Sequence, residues 1–266
     1  MLEKNADAMQ PSLEDHFRGV SLGRLRNLFD PACEQPFRLS RTKLELFSVC
    51  ERCFYLDRRL GVEQPGGLPY TINSAIDVLL KREFDAYREL GQPHPLMLEH
   101  KIAAVPFSHP ELEKWRDGFK RGISFLVPGT TLEFFGGVDD VWQNESGALH
   151  IVDYKATAKQ GKVSMQDTGK DRYKRQIEMY QWIFRQNGFD VSALAYFVYC
   201  NADKSVESFA GLLKFKMEIF PHQGDDSWVP KSLQRAYECL MADEIPAPNL
   251  DCKHCKYRAA AHAVEE

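Results

Sequence analysis

The stretch FFGGVDDVWQNESGALHIVDYK, residues 134–155, decides the fold of this chain. Two apolar, strand-like runs flank a polar turn at 143–147, a pattern that predicts a β-hairpin. Asp139 lies in the first run and Asp153 in the second. Because side chains alternate between the two faces of a strand, Asp153 and Lys155 are expected on the same face. Charged groups inside apolar strands are unfavourable unless they are paired or bind a metal, so these three residues form a candidate site.

Two carboxylates and one ammonium suit the metal-dependent hydrolysis of phosphodiesters. Carboxylates are the hard oxygen ligands that Mg²⁺ or Mn²⁺ prefers. A bound metal can lower the pKa of its water and stabilise charge on the scissile phosphate. Lys155 would orient the nucleophile or hold the phosphate as a point charge. A solvated strand end is the alternative explanation of the same pattern.

The overall composition is that of an ordinary globular protein. The 266 residues, 44% of them hydrophobic and 27% charged, suffice for one large domain or two small ones. A formal net charge of −4 excludes a protein that coats nucleic acid by bulk charge, although a local basic strip would serve an enzyme. The acidic, polar N-terminus and the lack of a long apolar run lead us to expect a cytoplasmic protein without a membrane span.

The segments around the hairpin predict a mixed α/β domain with helical additions. We expect residues 1–38 to be peripheral and residues 259–266 to form a tail. Apolar spacing predicts one helix from Leu39 onward. It also predicts helices at 70–90, 109–126 and 226–243, another after the basic stretch that ends at 175, and strands at 193–200 and 212–220.

Further candidate residues lie on two of these helices. Asp77, in the helix at 70–90, could be a third metal ligand, although an ordinary surface aspartate would explain it equally well. Gln176 and Tyr180 are spaced i and i+4, so they share a helix face and could reach a DNA strand or Lys155.

Residues 155–175 carry seven Lys or Arg against two Asp. In an acidic protein this local excess, which includes Lys159 and Arg175, predicts a segment that follows a nucleic-acid backbone. Tyr173 or Trp182 could stack on bases. A solvated charged loop is the alternative.

Two Cys-x-x-Cys pairs lie near opposite ends of the chain, CERC at 50–53 and CKHC at 252–255. In a cytoplasmic protein two such pairs favour a four-cysteine metal site over disulfides. Cys50, Cys53, Cys252 and Cys255 could hold zinc or a 4Fe–4S cluster, because the spacing does not decide between them.

Taken together, these motifs resemble the PD-(D/E)XK nuclease superfamily, in the RecB-like branch that includes CRISPR-associated exonucleases. The resemblance covers residues 39–258. It is carried by LSRTKLELFSVCERCFYL (39–56), GGVDD (136–140), VDYK (152–155) and RQIEMY (175–180).

The resemblance implies a restriction-endonuclease-like α/β core, a mixed central sheet of about four strands flanked by helices, with the C-terminal tail clamped by the four-cysteine site. It implies that Asp139 and Asp153 bind the metal, that Lys155 is catalytic, and that Gln176 and Tyr180 face DNA. Asp77 stands where that branch has a histidine ligand.

In iron–sulfur members of the branch, one cysteine comes from the first helix and three come from the C-terminus. This chain has two and two, so iron–sulfur is favoured by family and zinc by spacing.

The sequence therefore predicts a Mg²⁺- or Mn²⁺-dependent deoxyribonuclease. Its DNA would be single-stranded or have free ends, and its role would be in repair, recombination or defence. Helicases or other repair and defence proteins are the expected partners. A non-catalytic nucleic-acid-binding subunit with the same fold and a structural cysteine site is the alternative, and the intact Asp139, Asp153 and Lys155 set argues against it.

Overall fold

The computed structural model of the chain describes residues 24–67 and 71–265. Its strands are β1 (Phe37–Ser40), β2 (Ala104–Pro106), β3 (Ile123–Leu126), β4 (Leu132–Gly136), β5 (Asp140–Asn144), β6 (Leu149–Thr157), β7 (Leu194–Ala202) and β8 (Phe215–Gln223). Its helices are α1 (Arg41–Val49), α2 (Glu51–Leu60), α3 (Thr71–Leu90), α4 (Pro95–Glu99), α5 (Leu112–Arg116), α6 (Asp171–Gln186), α7 (Val229–Met241) and α8 (Lys253–Glu265). None of the helices in these two ranges is long and apolar enough to cross a membrane.

The central sheet has five strands in the order β2-β5-β6-β7-β8. Strands β5 and β6 pair antiparallel, as the predicted hairpin requires. In their turn, the Oδ1 atom of Asn144 accepts hydrogen bonds from the backbone N–H groups of Ser146 (3.1 Å) and Ala148 (2.9 Å). Strands β6 and β7 run parallel, so the chain must cross the sheet between them, and α6 lies in that crossover.

Helices cover both faces of the central sheet, and β6 distributes its side chains between them. Ile151 packs in the same apolar cluster as Ile177 of α6, whereas Val152 and Tyr154 pack in the cluster that contains Phe84 of α3. Burial of each large apolar side chain stabilises the fold by about 1.5–3 kcal/mol. The period of two therefore places Asp153 on the α6 face of the sheet.

A second, three-stranded sheet has the order β1-β4-β3. The first apolar run, which contains Asp139 and which the sequence predicts as one hairpin strand, is therefore split between β4 in the small sheet and β5 in the central one. The chain bends between them at Gly137. A Cβ atom on Gly137 would lie 2.4 Å from the Cα atom of Gly118, so this close approach of two backbones requires glycine.

The predicted helix at 109–126 is wrong over most of its length. Helix α5 ends at Arg116, and β3 begins at Ile123. Asp117 already leaves the helical conformation at φ −80° and ψ 76°, and Gly122 adopts φ 65° just before β3, so the helix cannot continue through this stretch. The stretch therefore supplies an edge strand to the small sheet instead of a long helix.

The two terminal segments are more ordered than the sequence indicates. Phe37 and Arg38 belong to β1, and Phe29 is buried in the main core, so the described part of residues 1–38 is not peripheral throughout. Residues 1–23 lie outside the described residues. At the other end, α8 continues to Glu265, so residues 259–265 belong to a helix.

The close approach at Gly137 generates a stability prediction. We expect Gly137→Ala to lower the free energy of unfolding by about 2 kcal/mol, because the added methyl group must displace backbone atoms. Urea denaturation measures the change. Gly66→Ala is the matched control, since a Cβ there meets nothing within 4 Å, and it should shift stability by less than about 0.5 kcal/mol. Equal effects of the two substitutions would contradict the account of the bend.

Candidate functional site

Asp153 and Lys155 form the centre of the site, on β6. Asp153 is fully buried, and its Oδ2 atom forms an ion pair with the Nζ atom of Lys155. Burial raises the pKa of Asp153 to about 7, and the charge of Asp139 adds to the shift, whereas Lys155 opposes it. Burial alone would lower the pKa of Lys155, but Asp153 and Asp139 raise it above its ordinary value. Lys155 is therefore a stable cation at neutral pH.

Asp139 lies in the bend just before β5, where it faces the middle of β6. Its Oδ2 atom accepts a hydrogen bond from the backbone N–H of Tyr154 (2.9 Å). Its backbone carbonyl accepts one from the Nε atom of Arg116 (3.2 Å). The bend and the neighbouring strand together bring Asp139 towards Asp153, as the sequence predicts.

The next residue, Asp140, anchors this bend from the opposite face of the sheet. It is fully buried, and its carboxylate accepts hydrogen bonds from the hydroxyl of Tyr154 (2.7 Å) and from Arg116 (3.2 Å). Arg88 forms an ion pair with the same carboxylate. A buried carboxylate with this many donors is held in one position. Asp140 therefore fixes the backbone from which Asp139 extends.

Helix α6 supplies two residues that contact the charged centre. The Nε2 atom of Gln176 donates a hydrogen bond to the Oδ1 atom of Asp153 (2.8 Å). Tyr180, one turn later, is buried, and the guanidinium of Arg41 at the start of α1 lies over its ring, 6.0 Å from the ring centre. The expectation that Tyr180 faces DNA is corrected, because only 3% of it is exposed. Contact of Gln176 with a substrate stays a prediction.

Arg41 is a member of the site that the sequence analysis does not single out. Burial would lower its pKa, but Tyr180, Asp153 and Glu45 raise it. Its Nε atom is buried and has no hydrogen-bond partner. The available signal was its place directly after Ser40 in the LSRTKLELF motif.

Asp77 of α3 lies near Asp139, but Asp77, Asp139 and Asp153 are not among the described groups whose ligand atoms converge within 4.8 Å. Burial and the charge of Asp139 raise the pKa of Asp77. The Nζ atom of Lys81, one turn further along α3, contacts the Oδ2 atom of Asp77 (2.8 Å) and the Oδ1 atom of Asp139 (3.7 Å). The role of Asp77 as a third ligand stays a prediction, and Lys81 is a second residue that the sequence analysis missed.

The basic segment is largely paired within the chain. Lys159 forms an ion pair with Asp167 (2.6 Å), and Arg175 forms two hydrogen bonds with Glu45 of α1 (2.6 and 2.9 Å). Lys159 is exposed, so contact with nucleic acid stays a prediction for it, as it does for Arg175.

The two aromatic residues proposed for base stacking lie in different surroundings. Tyr173 is half-buried, with the Nζ atom of Lys155 4.8 Å from its ring centre. The prediction that Trp182 stacks on a base is wrong, because this side chain is buried against Phe125 and Phe134.

The four predicted cysteines meet in one buried cluster. Cys50 lies between α1 and α2, Cys53 lies in α2, Cys252 precedes α8 and Cys255 lies in its first turn. Their Sγ atoms are all within 4.8 Å of one another, the shortest separations being Cys50–Cys255 at 3.6 Å and Cys53–Cys252 at 3.7 Å.

The cysteine cluster has the chemistry of a metal site. Burial raises the pKa of Cys53, so a nearby cation is needed to hold it as a thiolate. Among the described residues this is the only set of three or more Cys, His, Asp or Glu whose ligand atoms converge for a metal ion. Four buried thiols from distant parts of the chain fit a structural metal.

The acidic centre offers metal ligands of a different kind from the cysteine sulfurs. Asp139 and Asp153 offer hard oxygen ligands, which fit Mg²⁺ or Mn²⁺ and not a soft metal. One oxygen of Asp153 is held by Gln176 and the other faces Lys155. This arrangement can hold a divalent cation next to a fixed ammonium group.

Comparison with known proteins agrees with this geometry. A sequence model described as the PD-(D/E)XK nuclease superfamily matches residues 38–260 of the chain, which include both cysteine pairs and the whole acidic centre. No curated protein matches the sequence. The match covers most of the chain and the α/β fold agrees with it, so the protein belongs to the PD-(D/E)XK nuclease superfamily.

Proposed function

We propose that the protein is a Mg²⁺- or Mn²⁺-dependent nuclease that hydrolyses phosphodiester bonds in DNA. The observation that carries this proposal is the meeting of Asp139, Asp153 and Lys155 at one point of the central sheet. Asp153 is buried there with its pKa raised, a combination typical of functional sites. The family membership supports nuclease chemistry in general.

Each residue of the centre has a separate role in this proposal. Asp139 and Asp153 would hold the metal ion, which when bound supplies an activated water and stabilises charge on the phosphate. Lys155 carries a permanent positive charge and contacts a phosphate oxygen or the attacking water. Gln176 fixes the orientation of Asp153, because its hydrogen bond occupies one carboxylate oxygen.

The substrate we propose is single-stranded DNA or DNA with free ends, as in the RecB-like branch. Exposed Lys159 lies in the loop after β6, and Tyr173 lies beside Lys155, so a cationic and partly aromatic surface adjoins the centre. Such a surface binds a strand through its phosphates and its base faces without reading sequence. A role in repair, recombination or defence is part of the same proposal.

For the four-cysteine site we propose a single zinc ion. Around one tetrahedral zinc with Zn–S bonds of about 2.3 Å, the sulfurs are about 3.8 Å apart. Three of the six separations, 3.6, 3.7 and 3.9 Å, agree with that value, and all six are within 4.8 Å. In a 4Fe–4S cluster each cysteine binds a different iron, which sets the sulfurs farther apart.

The nuclease proposal is tested with Asp153→Asn and Lys155→Met. Each should lower the rate of DNA cleavage by about 10²–10³-fold, since each removes one charge that stabilises the transition state. Rates are measured on end-labelled single-stranded DNA with Mg²⁺ or Mn²⁺.

The exposed pair Glu111 and Lys114 provides matched controls for these two variants. Glu111→Gln and Lys114→Met make the same changes of charge at a surface pair 2.6 Å apart, and activity should stay within about twofold. Equal activity of Asp153→Asn, Lys155→Met and the unchanged protein would exclude the nuclease proposal.

The zinc proposal is tested by metal analysis and by the double variant Cys252→Ser, Cys255→Ser. We expect one zinc per chain and no visible absorption in anaerobically purified protein. The double variant should lose the metal and about 10 °C of Tm, because ~3 kcal/mol of stabilisation corresponds to roughly that shift in a domain of this size. Exposed Cys33→Ser is the control and should change neither. Bound iron and a brown colour would show that the site holds an iron–sulfur cluster and not zinc, and the nuclease proposal would be unaffected.

A further inference from the structure

Lys81 takes the position of a cation between two acidic residues of the candidate site. Its Nζ atom lies 2.8 Å from the Oδ2 atom of Asp77 and 3.7 Å from the Oδ1 atom of Asp139. A divalent metal held by these two carboxylates would need the same space. The ammonium of Lys81 and a metal ion therefore compete for the same two oxygen atoms.

Cations offset much of the negative charge at the centre. The carboxylates of Asp77, Asp139 and Asp153 lie among Lys81, Lys155 and Arg41. A divalent cation is attracted to net negative charge, and the site gains such charge when one of the three cations moves away.

Two of these three cations lie against buried partners. Lys155 pairs with fully buried Asp153 and lies over the ring of Tyr173. The guanidinium of Arg41 lies over the ring of buried Tyr180, 6.0 Å from its centre, and the Nε atom of Arg41 is itself buried. The contacts of Lys81 are with Asp77 and Asp139, which are 33% and 24% exposed, so water can replace the ammonium there. Lys81 is the cation that can leave.

Helix α3 offers Lys81 a second position. Asp77, Lys81 and Asp85 are spaced by four residues, so Lys81 has a carboxylate one turn before it and another one turn after it. On the Asp85 side lies an open groove of about 520 Å³, which Glu89 and Glu113 also line. Arg82 and Arg116 line the groove as well, and Arg88 and Arg116 already hold the Asp85 carboxylate, so the groove offers Lys81 open, solvated space and not a free carboxylate at Asp85.

We propose that Lys81 is a built-in cation that competes with the catalytic metal for Asp77 and Asp139 and swings out into the open groove on its Asp85 side when the metal binds. This inference rests on the proposed nuclease function, because it concerns the same site. It goes beyond that function by giving the site a threshold: the metal must displace Lys81 before Asp77 and Asp139 become available. The lysine also limits repulsion between Asp77 and Asp139 until the metal replaces it.

Metal binding without DNA tests the proposal. Mn²⁺ is titrated into purified protein with its cysteine site loaded, and free Mn²⁺ is followed by electron paramagnetic resonance. Lys81→Gln should bind Mn²⁺ about tenfold more tightly than the unchanged protein, because the competing charge is gone. Lys81→Arg keeps the charge and should stay within about threefold of the unchanged protein.

Arg82→Gln is the matched control, because it removes one positive charge from the next residue, which is exposed and contacts neither carboxylate. Its Mn²⁺ affinity should change by less than about twofold, since exposed charges are screened. If Arg82→Gln raised the Mn²⁺ affinity as much as Lys81→Gln, the increase would come from general electrostatics, and the proposal would be overturned. Unchanged or weaker binding by Lys81→Gln would overturn it as well.

A second measurement uses the unchanged protein and does not depend on the folding of a variant. Amine-reactive labelling followed by mass spectrometry gives the reactivity of each lysine with and without Mn²⁺. Lys81 should label faster when Mn²⁺ is bound, whereas exposed Lys114 should not change. Slower or equal labelling of Lys81 would contradict its release.

The two proposals fail in different ways. Absence of both Mn²⁺ binding and DNA cleavage in the unchanged protein would refute the nuclease function. Cleavage and binding that both depend on Asp153, without tighter binding by Lys81→Gln, would refute the role of Lys81 alone.

Discussion

Burial of the Asp153 carboxylate in the central sheet is the constraint on which the site depends. An ionised carboxylate loses several kcal/mol of solvation when it is buried without partners. Asp153 is fully buried, and the negative charge of Asp139 makes ionisation still less favourable. The surrounding side chains offset part of this cost: Lys155 supplies the charge, Gln176 a hydrogen bond and Arg41 a second nearby cation.

The fold meets the constraint by bringing separate elements to one point. The parallel pairing of β6 with β7 requires a crossover, and the crossover helix α6 places Gln176 above Asp153. The bend between β4 and β5 places Asp139 opposite the backbone of Tyr154. The buried network around Asp140 holds that bend from the other face. Packing and polar contacts thus fix both carboxylates before any ligand binds.

The sequence was sufficient for the parts of this arrangement that depend on local pattern. The hairpin followed from a polar turn between apolar runs, and the shared face of Asp153 and Lys155 followed from the period of two. The cysteine cluster followed from two short pairs with the right residue type. In each of these cases a spacing along the chain maps directly onto a distance in space.

The features that the sequence did not predict depend on contacts between distant segments. The division of one apolar run into β4 and β5 is set by the contact of Gly137 with Gly118, which no periodicity reveals. Tyr180 and Trp182 have the residue types of a nucleic-acid surface, but α6 is covered by α1 and by the small sheet. Lys81 is separated from Asp139 by 58 residues of sequence, so only the fold shows that they meet.

Helix α1 links the cysteine site to the acidic centre. Arg41 lies at its first residue, beside Tyr180 and Asp153, and Cys50 follows its last residue. Nine helical residues rise only about 14 Å, so a short, rigid helix separates the two sites. Halfway along, Glu45 is joined to Arg175 of α6. The cysteine cluster ties the end of α1 to a segment about 200 residues away, and it thereby restrains the helix that carries Arg41. The cysteine cluster thus helps to position Arg41 without taking part in the chemistry.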